Sequence, residues 1–173
     1  MAAANDITVD FVDRLIANGK TAEAVALVES AAGFSVPGAG KLVMAGRWAW
    51  FYQKVRNGGD WDFKNNVYKQ HKATGVIVCG QQYGNDMPGN FHFGYAGAAA
   101  GFAAGVLLKG AGMAQQRAGT SKPEFWCTYG DDPTDHEFIR LGIELYRQVG
   151  TSVTQAALKQ ILATFQTTVC PTK

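Results

Sequence analysis

The sequence predicts a mainly α-helical protein with at most a short strand or hairpin, folded as one globular domain around a Gly/Ala-rich central helix. Apolar residues recur at helical spacing through most of the first 55 residues and again after residue 132. Only one β-branched run, Val76–Val78, resembles a strand. A chain of 173 residues suits a single domain with a sizeable core.

The centre of the sequence is a run of small and apolar residues from Tyr95 to Leu108. Within it, Gly97, Gly101 and Gly105 are spaced four residues apart and would form one strip on a helix. Each glycine costs a helix interior roughly 1 kcal/mol relative to alanine. The spacing therefore predicts a buried central helix with another element packed along its glycine face. A membrane-spanning helix needs about 20 apolar residues, so we expect no stable membrane insertion.

The first 55 residues are predicted to form helices that support the rest of the domain and carry no functional site. Gly19 and Gly33 have the placement of helix-ending glycines. Three helices are therefore expected, over about 7–18, 21–33 and 41–55, with a turn over 35–40.

The segment from Arg56 to Asn90 is polar and irregular, as functional loops often are. Further on, Asp132 and Pro133 have the N-cap and N1 pattern of a helix start, with Asp135 at N3. That helix ends at Gly150, and Thr151 or Ser152 is expected to cap a last one. We divide the domain into helical support (1–55), a functional core (56–150) and a C-terminal helix and tail (151–173).

Composition narrows the function classes. A formal charge of +2 is low for a dedicated nucleic-acid binder. The N-terminus lacks the basic and apolar regions of a cleavable signal peptide. Cys79, Cys127 and Cys170 match no zinc-ligand spacing, and buried reduced thiols are favoured over one disulfide with one free thiol. No phosphate loop, dinucleotide fingerprint or serine nucleophile elbow is present, and we expect neither metal nor cofactor.

The first of three polar clusters alternates charged and aromatic residues. In an extended segment Asp60, Asp62 and Lys64 would share one side, with Trp61 and Phe63 on the other. Such a segment would present an acid and a lysine over an aromatic platform suited to a sugar or a base. A solvated turn anchored by its aromatic residues fits the pattern equally well.

The second cluster contains Asn90, His92 and Tyr95 at the mouth of the predicted central helix, where helix amides favour negative charge. His92 is a candidate general acid or base there. The plainer interpretation is a half-buried histidine held between two phenylalanines.

The third cluster is acidic. Asp132 and Asp135 are accounted for as helix-start residues, which leaves Asp131 unexplained. Two neighbouring carboxylates can be driven to different pKa values and divide into an acid and a base. Asp131 with Asp62 or Asp60 could supply the carboxylate pair of a glycoside hydrolase.

Taken in order, five blocks of the sequence resemble the bacterial polymorphic toxin type 44 family, over about residues 55 to 148. The blocks are 58–64, 89–102, 111–120, 130–135 and 139–142. The resemblance implies a secreted effector that is delivered into a competing bacterium by a carrier protein or secretion machinery and is neutralised by a cognate immunity protein. The positions that match the family's shared blocks are Asp62, Lys64, Asn90, Gln116, Asp131, Asp132 and Asp135.

Three functions follow as hypotheses. The first is a peptidoglycan hydrolase of glycosidase type acting in the target's periplasm, with Asp62 and Asp131 as its carboxylates and His92 and Lys64 as further catalytic candidates. Its expected substrate-binding residues are Trp61, Asn90, Tyr95, Gln116 and Asp60. The second hypothesis is a metal-independent RNase that uses Lys64, His71, Lys72, His92 and His136. The third is membrane permeabilisation by the glycine-striped helix without catalysis.

Overall fold

The expected mainly α-helical fold is confirmed in the computed structural model, which describes residues 5–35 and 40–171, with side chains for 5–31 and 40–171. The helices are α1 Thr8–Ser35, α2 Gly40–Val55, α3 Met87–Ala99, α4 Ala104–Arg117, α5 Pro133–Val149 and α6 Gln155–Leu162. The predicted strand is β1 Val76–Val78, paired antiparallel with β2 Gln81–Tyr83 as a single hairpin.

The single helix α1 covers residues 8–35, where the sequence predicts two helices. Gly19 lies inside α1, where the absence of a side chain leaves room for residues of neighbouring segments. A Cβ there would lie 2.9 Å from the Tyr95 ring and 3.0 Å from the Thr151 methyl group. The glycine thus marks a close contact and not a helix end. The helix expected over 41–55 is confirmed as α2, whereas the expected turn over 35–40 falls largely on 36–39, outside the described residues.

The predicted continuous central helix is wrong, since the chain folds there as the two helices α3 and α4. Gly101 has a φ of +80°, which only glycine adopts readily, and it ends α3. Its amide donates to the Ala98 carbonyl and the Phe102 amide donates to the Gly97 carbonyl, the bond pattern of a Schellman motif. Gly97, Gly101 and Gly105 therefore do not share one helix face. No helix in the described part of the chain is long and apolar enough to cross a membrane.

The closest helix packing joins α3 to α5 through two other glycines. A Cβ on Gly94 would collide with the Ile139 carbonyl, and a Cβ on Gly142 would collide with the Phe91 carbonyl. The Tyr95 and Tyr146 rings meet further along, 5.6 Å apart. Asn90 hydrogen-bonds to Asp135 near the start of both helices, and Tyr95 meets Tyr146 further along both, so α3 and α5 run parallel. Their N-termini, and the acidic residues there, lie at the same end of the domain.

α1 and α2 cover this helix pair. Phe11 of α1 packs edge-on against Phe91 of α3, with ring centroids 5.8 Å apart. Arg47 of α2 is 6% exposed, and its Nε donates to Glu29 of α1 at 2.9 Å. Its Nη1 donates to the Ala100 carbonyl at the end of α3 at 3.2 Å. The buried Arg47 guanidinium, paired with the partly exposed Glu29, therefore joins α1 and α2 to the end of α3.

The C-terminal part differs from expectation in two ways. α6 is capped by Thr154, whose hydroxyl accepts from the Ala157 amide, and not by Thr151 or Ser152. Cys127 and Cys170 form a disulfide, so the favoured state of three reduced thiols is wrong. The less favoured alternative of one disulfide with one free thiol is the one observed, since Cys79 is a free thiol.

Substituting Gly94 with alanine tests the helix crossing. The new Cβ meets the Ile139 backbone, which cannot turn aside, so we expect the free energy of unfolding to fall by at least about 2 kcal/mol. Gly105→Ala is the matched control, because Gly105 lies in α4 with nothing within 4 Å of its Cβ position. It should leave stability unchanged or raise it by up to about 1 kcal/mol in urea denaturation. Equal stabilities of the two variants would contradict the close crossing.

The disulfide should contribute to stability through the loop that it closes. Its cysteines are 43 residues apart, and a loop of this length is worth about 4 kcal/mol in the chain-entropy model. We expect Cys170→Ser to lower the free energy of unfolding by about 2–4 kcal/mol under oxidising conditions. Cys79→Ser serves as the control. Reductant should destabilise the wild type and leave Cys170→Ser unchanged; a wild type insensitive to reductant would show that the bond does not form.

Candidate active site

An open cleft of about 990 Å³ lies where α2, α4 and the first turns of α3 and α5 meet. Its acidic lining residues are Asp62, Asp86, Asp131 and Asp135. Its cationic lining residues are Arg56, Lys64, Lys109 and Arg117. Aromatic side chains supply much of the wall: Trp48, Tyr52, Trp61, Phe63 and Phe93. The lining of the cleft therefore combines acidic, aromatic and cationic side chains.

Asp131 lies in the cleft and is only 3% exposed. Thr128 fixes its backbone, since the Asp131 amide donates to the Thr128 carbonyl and the Thr128 hydroxyl donates to the Asp131 carbonyl at 2.6 Å. Its Oδ2 is buried without a hydrogen-bond partner. Burial, followed by repulsion from Asp135, raises the pKa of Asp131 to about 7, although the Asp132 amide acts in the opposite direction. This carboxyl group can hold a proton near neutral pH.

Asp135 occupies the same cleft, and sequence reasoning missed it as a site residue. Its place at N3 of a helix explained it fully, yet in the structure its side chain faces the cleft from the first turn of α5. Burial, followed by the charges of Asp86 and Asp132, raises its pKa to about 7. The Lys64 charge and a hydrogen bond from the Asn90 amide pull that pKa down. Asp135 differs from an ordinary helix-start residue because it is buried beside other acidic side chains. This burial cannot be recognised from the sequence.

The charge of Asp135 disfavours ionisation of Asp131, so the titrations of the two groups are linked. Asp135 has a cation and an amide donor to stabilise its charge, whereas Asp131 has a buried oxygen without a partner. The first proton lost near neutral pH therefore leaves Asp135, and Asp131 keeps its own. The N-termini of α3 and α5 also favour the single negative charge that remains. The pair supplies one proton donor and one carboxylate.

Asp62, the predicted partner of Asp131, lies in the same cleft, but both of its oxygens are engaged. Oδ1 accepts from the Asn65 amide at 2.9 Å and Oδ2 from the Gly58 amide at 2.8 Å. The side chain is 6% exposed and caps the π-helical turn Phe63–Val67. This geometry gives Asp62 a local role in shaping the wall of the cleft.

Of the two interpretations of the first cluster, the extended segment is wrong and the turn anchored by its aromatic residues is confirmed, because the chain turns before Asp62 and then forms the π-helical turn Phe63–Val67. Asp60 points away from the cleft and pairs with Lys54 at 2.6 Å. Lys64 is exposed and lines the cleft, where its charge acts on Asp135. Trp61 lines the cleft too, although it is only 8% exposed and packs edge-on against Trp50. The alternation of charged and aromatic residues did not place the charges on one side.

His92 and Tyr95 lie in the core and do not line the cleft. His92 is fully buried, stacked on Phe63 at 4.4 Å, with Nε2 2.9 Å from the Asn18 amide. Burial lowers its pKa to about 3, so the ring is neutral at pH 7. The Tyr95 hydroxyl donates to the Gly150 carbonyl at 2.9 Å. His92 is thus more deeply buried than the plainer interpretation of the second cluster expects, and neither side chain reaches the cleft in this structure.

Asn90 lines the cleft as its predicted role requires, but of the two neighbouring glutamines it is Gln115 that does so. Gln115 Oε1 accepts from the Asp132 amide at 3.1 Å and so helps to hold the acidic turn. Gln116 Nε2 donates to the Tyr129 carbonyl at 3.0 Å, in an adjoining pocket. Adjacent residues on a helix point about 100° apart, and here the Gln116 side chain is directed to the Tyr129 turn.

The remaining candidates for metal-independent RNA cleavage lie outside the cleft. His71 is in the 3₁₀ turn Lys69–His71, and His136 is half-buried beside Tyr129 with its pKa lowered by burial. Lys72 does not line the cleft either. Within residues 5–35 and 40–171, no three His, Cys, Asp or Glu side chains are placed to hold a metal ion.

Comparison with known proteins agrees with the resemblance found in the sequence. A family model described as bacterial toxin 44 matches residues 49–148, more than half of the 173-residue chain. The matched range includes α3, α4 and nearly all of α5, together with Asp62, Asn90, Asp131 and Asp135. No curated protein and no solved structure matches the chain.

The raised pKa values predict how stability depends on pH. A carboxyl group whose pKa is higher in the folded than in the unfolded state stabilises the fold fully below about pH 4, and this stabilisation is lost as the pH rises through about 7. Relative to the double variant Asp131→Asn/Asp135→Asn, the wild type should lose up to about 1.4 kcal/mol per pH unit and per carboxyl group across this range.

Urea denaturation of both proteins between pH 4 and pH 8 measures that difference. His92 has the opposite dependence, because its lowered pKa favours the fold at high pH, but it is present in both proteins and cancels. Parallel stability curves would show that the two aspartates are not a buried acidic pair.

Proposed function

This chain belongs to the bacterial toxin 44 family and is therefore a bacterial toxin, and from that premise we propose that it hydrolyses glycosidic bonds of peptidoglycan. The observation that carries the proposal is the pair Asp131 and Asp135, both with pKa values raised to about 7, in an open aromatic cleft. Glycoside hydrolases need a pair of carboxyl groups that flank the scissile bond, one of them protonated and the other ionised.

The mechanism assigns different roles to the two groups. Asp131 donates its proton to the glycosidic oxygen as the bond to the anomeric carbon breaks. Asp135 either attacks the anomeric carbon, forming a glycosyl ester that water then hydrolyses with Asp131 as base, or takes a proton from the water that attacks the anomeric carbon directly. Asn90 and Lys64 keep Asp135 ionised and oriented. The burial that gives Asp131 its raised pKa is what makes it an effective acid near pH 7.

The cleft walls suit a glycan strand. Trp48, Tyr52 and Phe93 supply apolar ring surface on which sugar rings can pack. Arg56 and Arg117 lie in the same lining and attract anionic groups, such as the carboxylates of peptide stems. Both features fit peptidoglycan.

Cleavage of RNA is the second candidate, and the cations of the cleft are what favour it. Arg56, Lys64, Lys109 and Arg117 together could track a phosphate backbone. His71, His92 and His136, the expected acid and base groups of that mechanism, lie elsewhere in the structure. The carboxylate pair therefore favours the glycosidase.

The site of action that we propose is the periplasm of the target bacterium. The Cys127–Cys170 disulfide supports it, because such bonds form and persist in oxidising compartments. Delivery by a carrier protein or secretion machinery, and neutralisation by a cognate immunity protein, are proposed from family membership. We assign no metal or cofactor to the reaction.

Asparagine substitutions test the catalytic pair. Asp131→Asn and Asp135→Asn should each reduce solubilisation of purified sacculi by about 10²–10⁴-fold, because each removes a group that transfers a proton or attacks. Asp60→Asn, an exposed carboxylate outside the cleft, should retain full activity. Activity of the wild type should fall above about pH 7 as Asp131 loses its proton.

The same variants should lose toxicity when directed to the periplasm of a test strain, whereas the wild type without a leader should be harmless in the cytoplasm. Intact sacculi together with degraded RNA would overturn the glycosidase in favour of the nuclease. Full activity of both asparagine variants would remove the site itself.

A further inference from the structure

A second pocket adjoins the cleft and is unused by the proposed chemistry. It has a volume of about 480 Å³ and lies between α4 and the 3₁₀ helix Pro123–Thr128. Lys109 and Met113 line both the pocket and the cleft, so the two are continuous. Gly130 lines the pocket and is followed directly by Asp131 of the catalytic pair.

The pocket combines aromatic surface with positive charge. Trp126 and Tyr129 are each 45% exposed at its rim. Lys109 Nζ lies 5.6 Å from the centre of the Tyr129 ring, and Lys122 Nζ lies 5.5 Å from that of Phe125. No acidic residue lines the pocket, and neither ammonium group pairs with a carboxylate of the described residues. The lining thus favours a ligand with a flat apolar face and a negative charge.

The turn that carries Tyr129 is held firmly. Tyr129 has a left-handed backbone with φ of 60°, and its carbonyl accepts from Gln116 Nε2. Gly112 of α4 lies so close that a Cβ there would collide with the same carbonyl. The Ser121 hydroxyl donates to the Gly130 carbonyl at 2.6 Å. These contacts hold the backbone of Tyr129 and Gly130, and they therefore fix the position of the Tyr129 ring relative to Asp131.

We propose that this pocket is a binding subsite for the next part of the same polymer, a glycan unit that carries a carboxylate. The substrate runs from the cleft across Lys109 and Met113 into the pocket, where its ring packs on Trp126 or Tyr129 and its carboxylate meets Lys122. This inference rests on the proposed glycosidase function and extends it. It makes the enzyme selective for anionic glycan polymers over neutral ones and over short fragments.

Binding measurements in an inactive background test the subsite. The Asp131→Asn protein, whose turnover should be about 10²–10⁴-fold slower, is titrated with purified sacculi, with chitin and with RNA. Adding Lys122→Ala or Trp126→Ala should weaken sacculus binding about tenfold, the effect of a loss of about 1.4 kcal/mol. Lys72→Ala is the matched control, an exposed lysine outside both pockets. Binding to chitin, which lacks carboxylates, should be weak and insensitive to Lys122→Ala.

Kinetics of the otherwise wild-type enzyme separate the possible failures. Lys122→Ala should raise KM for sacculi and leave kcat for a short soluble fragment unchanged, with thermal unfolding confirming that the variant is folded. If the wild type cleaves sacculi and neither variant alters binding, the subsite is wrong and the proposed function stands. If the wild type neither cleaves nor binds sacculi, the function fails and the subsite with it. Variants that weaken only RNA binding would overturn the glycan assignment.

Discussion

Two glycines, Gly94 on α3 and Gly142 on α5, let these helices approach until side-chain-free backbone meets backbone. Everything at the cleft depends on this contact. Because the helices run parallel, their first turns lie side by side, and Asn90 comes within hydrogen-bonding reach of Asp135. An antiparallel pair would have placed these residues at opposite ends of the domain. The catalytic proposal therefore depends on the absence of a Cβ atom at Gly94 and at Gly142.

Much of the fold was predictable because local patterns determine local structure. The Asp132–Pro133 helix start, α2 and the β1 strand all follow from capping, periodicity and β-branched residues. The errors came from glycines, since glycine serves opposite purposes. Gly19 was expected to end a helix and instead admits Tyr95, whereas Gly101 was expected inside a helix and instead ends one. Only the tertiary neighbours decide which purpose applies.

The candidate site was predictable in part. Asp131 was identified because helix capping left it unexplained. Asn90 was identified because it precedes a helix of small residues. Both residues line the cleft, as does Asp62. Asp135 was missed because a residue can stabilise a helix start and face a cleft at the same time. His92 was a candidate by residue type, but its surroundings are Phe63, Trp61 and full burial. Burial and neighbouring charge arise only when distant segments meet, and they decided each of these cases.

The covalent link between Cys127 and Cys170 has a topological consequence beyond stability. It closes α5 and α6, together with both members of the acidic pair, into a ring of backbone. A protease that cuts the chain once within this ring leaves the two pieces joined. Translocation through a pore wide enough for only one extended strand would halt where the ring begins, at Cys127 or at Cys170 according to which end of the chain enters first, because two strands would have to pass side by side. Such a route into another cell requires the thiols to remain reduced until the chain has passed.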